Sequence, residues 1–159
     1  MPSAKPVFKT LLASERDTLR LAGAAAERAR GGEVVALRGE LGSGKTVFVR
    51  GFLRALGWRG PVRSPTFALI HEYRRLEPRV HHLDLYRLKP RDLPGLGLGD
   101  ILGRTGSVCL IEWPEAAEDW LPSDRLEVVL SHADGGGRAL SARARGPRAR
   151  RLLAAWRTR

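Results

Sequence analysis

Gly39-Glu40-Leu41-Gly42-Ser43-Gly44-Lys45-Thr46 is the stretch of this 159-residue chain that decides its fold. It reads G-x-x-x-x-G-K-T, the pattern of a loop that wraps phosphate in nucleotide triphosphatases. The flanks supply the setting this pattern requires. Ahead of it runs Glu33-Val34-Val35-Ala36-Leu37-Arg38, a short apolar segment entered from Gly31-Gly32, which reads as a strand buried in a parallel sheet. Behind it Phe48, Phe52 and Leu56 recur four apart, and Gly57 follows. That spacing predicts an amphipathic helix stopped by the glycine. Strand, glycine loop and helix together predict an α/β nucleotide-binding chain.

Gly39, Gly42 and Gly44 let the backbone curl so that successive loop amides, those of Glu40, Leu41 and Ser43 among them, turn inward around a phosphate. The helix that starts near Gly44 adds about half a positive charge at its N-terminus. Lys45 brings a full charge to the outer phosphates, and the Thr46 hydroxyl stands where such loops ligate Mg2+. The expected ligands are therefore a nucleoside triphosphate and magnesium.

The second acid-bearing strand is Ser107-Val108-Cys109-Leu110-Ile111-Glu112, four apolar residues closed by a carboxylate. This is the form of a Walker B segment with glutamate in place of aspartate. Glu112 would reach the metal through water or orient an attacking water. Trp113 follows and either stacks near the nucleotide or joins the core. Residues 67–73 and 80–87 read as a hairpin across a polar turn. Period two puts His82, Asp84 and Tyr86 on one face of its second strand and His81, Leu83 and Leu85 on the other. Asp84 in so apolar a segment needs a cation or donors against it, and magnesium or a nearby arginine would each serve. The two histidines with Asp84 suggest zinc, but nothing elsewhere completes the ligand set. In Gly60-Pro61-Val62-Arg63-Ser64-Pro65-Thr66 two prolines mark a loop. Thr66 there either offers its hydroxyl to metal or γ-phosphate or simply begins a strand.

The remaining segments frame this site. Residues 1–13 read as a loose lead-in, and Ser14 with Asp17 forms a capping box ahead of a helix over 18–30. Residues 88–106, rich in Pro and Gly, read as short turns whose Leu93, Leu96, Leu98, Ile101 and Leu102 pack on the core or meet a partner. Residues 126–131 and 138–145 read as antiparallel strands around a glycine turn, and 150–157 as a short helix with Leu152, Leu153 and Trp156 inward.

Length favours one compact domain. Cys109 is the single cysteine and excludes disulfides and cysteine zinc sites by count. No apolar run has the span of a membrane helix, and the first residues lack a signal-like apolar region; the expectation is a cytoplasmic chain with no membrane contact. The formal net charge is +11, and eight arginines follow Gly137 with no acid among them. Such a tail contacts RNA or an acidic protein surface, or is simply a solvated end in an arginine-rich chain.

Taken together, residues 37–50, Arg63-Ser64-Pro65-Thr66-Phe67, His82-Leu83-Asp84-Leu85-Tyr86-Arg87 and Cys109-Leu110-Ile111-Glu112-Trp113-Pro114-Glu115 resemble the TsaE family, small bacterial ATPases of tRNA threonylcarbamoyladenosine modification. Residues 95–98 and 121–126 fit as well, so the resemblance covers nearly the whole chain. It implies an α/β fold: a single P-loop NTPase-like domain over 1–147 whose mixed parallel and antiparallel sheet is flanked by helices. A basic extension over 148–159 lies outside the family pattern. It also implies weak ATP hydrolysis alone and action with the TsaB and TsaD proteins. By matched position Lys45 and the loop amides would hold phosphate, and Thr46 and Glu112 would serve magnesium. Asp84 would be the second catalytic carboxylate, at the metal or on water; Trp113 and Arg138 would lie near the nucleotide. No arginine stands out as one that would neutralise transition-state charge, so partner-stimulated turnover is expected. A small-molecule kinase and a binding module without turnover are the alternatives; no compact lid insertion supports the first, and two carboxylates argue against the second.

Overall fold

The computed structural model describes residues 7–64 and 70–157. Thr66 and the first half of the predicted strand over 67–73 lie outside the described residues. The elements run β1 (Val7–Leu12), α1 (Glu15–Ala26), β2 (Val34–Arg38), α2 (Lys45–Ala55), β3 (Ile70–Tyr73), β4 (Arg79–Asp84), α3 (Leu98–Ile101), β5 (Ser107–Glu112), β6 (Leu126–His132), β7 (Arg138–Ala144) and α4 (Pro147–Arg157). Single 3-10 segments at Pro90–Asp92 and Pro114–Trp120 complete the frame.

Seven strands form one sheet in the order β1-β7-β6-β2-β5-β4-β3. β2 sits at its centre, parallel to both β5 and β6, and β4 continues the parallel run beside β5. Antiparallel pairs close both sides, β3 on β4 at one edge and β6, β7 and β1 in succession at the other. The apolar runs of β2 and β5 are continuous because both faces are covered. Val35, Leu37, Val108 and Leu110 face α1, α2 and α4 in one core. Val34, Ala36, Cys109 and Ile111 face a second core on the opposite side. There the short turns after β4 do the covering: Leu93 and Leu98 are buried, with Leu96, Ile101 and Leu102 packed against them. That patch belongs to the core.

Local signals place the helices. Ser14 accepts from the Asp17 amide while Asp17 accepts from the Ser14 amide, so α1 begins at Glu15, three residues before the predicted start. Phe48 and Phe52 of α2 are fully buried, which at about 1.5–3 kcal/mol each ties α2 to the sheet. One expectation is corrected: residues 7–12, read as part of a loose lead-in, form an edge strand. β1 pairs with β7, more than 120 positions away in sequence, so the pairing leaves no local sign, and every second residue (Val7, Lys9, Leu11) remains exposed.

Candidate nucleotide and metal site

All three chemical elements of the site emerge at the same end of the parallel strands, where open α/β sheets bind ligands. β2 runs into the glycine loop, and the register Asp84↔Glu112 sets the last residues of β4 and β5 side by side. Period two turns His82, Asp84 and Glu112 toward α2, and His82 and Asp84 share one face as predicted. The cleft between them has a volume of about 420 Å³, and its lining includes Gly42, Gly44, Lys45, Thr46, Asp84 and Glu112 together with Ser64, Tyr86, Arg87 and Trp113.

The loop is built for close approach. Gly44 caps α2 in the left-handed region at φ 105°. At Gly39, φ is 150° and an added Cβ would lie 2.3 Å from the Leu130 carbonyl oxygen; no larger residue fits. Lys45 is only 4% exposed. Its ammonium donates to the carbonyls of Gly39 and, at 2.9 Å, Glu40, and it lies 4.1 Å above the Trp113 ring, within cation–π range. Burial lowers the Lys45 pKa, while the negative charges of Glu112, Asp84 and Glu115 act in the opposite direction. Trp113 itself has φ 56°, an uncommon backbone for a side chain of this size that turns its ring into the site. Tyr86 packs on it at 4.7 Å.

Glu112 is 3% exposed. One oxygen accepts from Thr46 Oγ at 2.9 Å, and the other lies 2.6 Å from His82 Nε2. Asp84 accepts from the Ser64 hydroxyl and, at 3.0 Å, from the Tyr86 amide. On the far flank Arg138 donates to the Gly42 carbonyl at 3.0 Å and to those of Gly136 and Gly137, bracing the loop against the β6–β7 turn. The residues singled out in sequence within the described part, residues 39–46, Asp84, Glu112, Trp113 and Arg138, are thus brought to one place.

Ser64, Tyr86 and Arg87, which line the cleft, and His82, which meets Glu112, were given no site role from sequence. Arg87 lines the cleft; its place three positions after Asp84 was the available signal. His82 was weighed only as half of a zinc pair. The strand pleat sends it to Glu112 and sends His81 to the other face, where Glu72 lies 3.8 Å away. The two rings therefore cannot share an ion.

The arrangement fits an anionic phosphate with a divalent cation. A buried ammonium and a helix N-terminus face the cleft, and the Ser43 hydroxyl beside them is buried with no hydrogen-bond partner among the described residues. The Thr46 hydroxyl and two carboxylates supply the hard oxygen donors that magnesium prefers.

Comparison with known proteins gives the family. The family model described as threonylcarbamoyl adenosine biosynthesis protein TsaE matches residues 12–140. The chain belongs to the TsaE family. Curated relatives, each a tRNA threonylcarbamoyladenosine biosynthesis protein TsaE, include that of Bacillus subtilis, 38% identical over 132 residues covering 83% of this chain and 82% of the relative. That of a Nostoc species is 37% identical, with 82% of each covered. Among solved structures, Bacillus subtilis YdiB matches with a TM-score of 0.85 at 32% identity, covering 98% of this chain and 97% of that one. The structural match is wider than the TsaE segment at 12–140 and takes in most of α4.

Proposed function

We propose that this TsaE-family chain binds ATP with magnesium, hydrolyses it slowly alone, and does so in the service of tRNA threonylcarbamoyladenosine formation together with TsaB and TsaD. One observation carries the ATPase reading: the Thr46 hydroxyl and Glu112 carboxylate are 2.9 Å apart beside a buried Lys45, with Asp84 in register with Glu112. Thr46 and Glu112 would hold the metal, directly or through water. A magnesium ion held by them would neutralise charge on the outer phosphate oxygens. Lys45 neutralises the same oxygens from the loop side and exchanges its contacts with the Gly39 and Glu40 carbonyls for contacts with phosphate. Asp84, anchored by Ser64 and Tyr86, orients water at the open end of the cleft. Arg87 is exposed at the rim rather than fixed over the cleft, which supports slow turnover until a partner orders the site. The pathway assignment is supported by the names of the relatives.

Phosphate release from ATP, measured for the chain alone and then with TsaB, TsaD and tRNA, tests this. The expected result is a low rate alone and a large increase in the assembly, with Glu112→Ala binding nucleotide but releasing no phosphate. Equal rates with and without partners, or normal turnover by Glu112→Ala, would refute it.

A further inference from the structure

His82 is fully buried, and its partner Glu112 is almost so. The Nε2 atom lies 2.6 Å from Glu112 Oε2, and Nδ1 is buried with no hydrogen-bond partner among the described residues. A carboxylate oxygen accepts, so Nε2 must bear the hydrogen, and the unpartnered Nδ1 is left as a bare lone pair. The opposite tautomer would set two lone pairs against each other at 2.6 Å and bury an unpaired N–H. It is therefore strongly disfavoured.

We propose that His82 is the positioning residue of the site: its Nε2–H holds the Glu112 carboxylate from below, so that the remaining oxygen is aimed at Thr46 and at the metal. The inference rests on the nucleotide–magnesium reading above and adds a residue to it. The geometry has a clear logic. Glu112 ends β5 at the cleft, and the one other hydrogen-bond partner of its carboxylate among the described residues is the Thr46 hydroxyl, 2.9 and 3.2 Å from its two oxygens, a single donor that leaves the carboxylate free to turn about it. The β4–β5 register places His82 two residues behind Asp84, opposite Leu110, one pleat below Glu112 on the same face. From there the ring reaches up to the carboxylate. Partners of this kind, behind a metal-binding group, fix its orientation, and their loss weakens metal binding or activity by about 10–100-fold.

Two measurements test it. The first compares affinity for the non-hydrolysable analogue AMP-PNP with and without Mg2+ in the wild type, His82→Leu and His82→Gln. His82→Leu should lose about 10–100-fold of the magnesium-dependent gain while its magnesium-free affinity is unchanged, and His82→Gln, which can still present a donor, should recover most of the gain. A full gain in His82→Leu, equal losses with and without magnesium, or no rescue by glutamine would overturn the proposal. The second, independent of any variant's folding, is the imidazole nitrogen NMR spectrum of the wild type, which should show the Nε2–H tautomer for His82; an Nδ1–H tautomer would overturn it. A wild type with no affinity for AMP-PNP under either condition would instead refute the nucleotide reading, and the tautomer would still report on the His82–Glu112 bond.

Discussion

Residues of this site differ in how plainly their type declares their role. Lys45, Thr46 and Glu112 were legible because the chemistry demands those groups after a glycine loop or at the end of an apolar strand. Asp84 was legible because an acid in an apolar segment needs an explanation. His82 was not, since a histidine among apolar residues reads the same whether it packs, binds metal or holds a carboxylate. The strand register distinguishes these, and register is a tertiary fact. Thr66 falls outside the described residues, and Ser64 two positions before it makes the contact with Asp84. Cys109 is fully buried in β5, and burial pushes its thiol up to about 12 from 9.0. Because the unfolded thiol ionises first, this contributes stability that is complete below pH 9 and declines as pH rises toward 12. Iodoacetamide at pH 8.5 should leave the native chain unlabelled and react once it is unfolded in urea; rapid labelling of the native chain would contradict the assigned burial.

Elements were predicted best where the signal was local. The helix after the phosphate loop, the β5 strand and the β6–β7 hairpin all follow from patterns within about twenty residues. The edge strand β1 was missed because only a partner from the far end of the chain makes it a strand. The start of α4 shows the same dependence. Arg148 and Ala149 donate their amides to the two carboxylate oxygens of Asp124, at 3.0 and 3.1 Å, so this helix is capped by a residue more than twenty positions away. An acid there also complements the helix dipole. Asp124→Ala should lower stability by about 0.5–2 kcal/mol, the range for a lost helix cap, as measured by urea denaturation. No change in midpoint would show that the amides find other acceptors.

Across the whole molecule, the arginine-rich end is largely engaged with the protein itself. Arg151 pairs with the buried Glu33 at 2.6 Å, Arg148 donates to the carbonyls of Gly32 and Gly103, and Arg145 pairs with Glu127. Of the arginines after Gly137, Arg150 and Arg157 are the exposed ones among the described residues, so any RNA contact from this end would begin with those two. Trp156 locks α4 in place. Its indole donates to the Leu21 carbonyl at 2.8 Å and its ring meets Phe8 of β1 and Phe48 of α2. Trp156→Ala should therefore destabilise the fold by about 3–5 kcal/mol, with the denaturation midpoint as readout; a loss under about 1 kcal/mol would show that this end is peripheral.

Everything functional turns on the loop between β2 and α2 receiving a triphosphate beside Glu112. Calorimetric titration of the full chain with AMP-PNP and magnesium, alongside Lys45→Ala, tests that most directly. The account predicts one saturable site in the wild type and a loss of at least about 2 kcal/mol of binding in the variant, the scale of a charge-assisted contact. Equal affinities in the two proteins, or no binding by either, would contradict it.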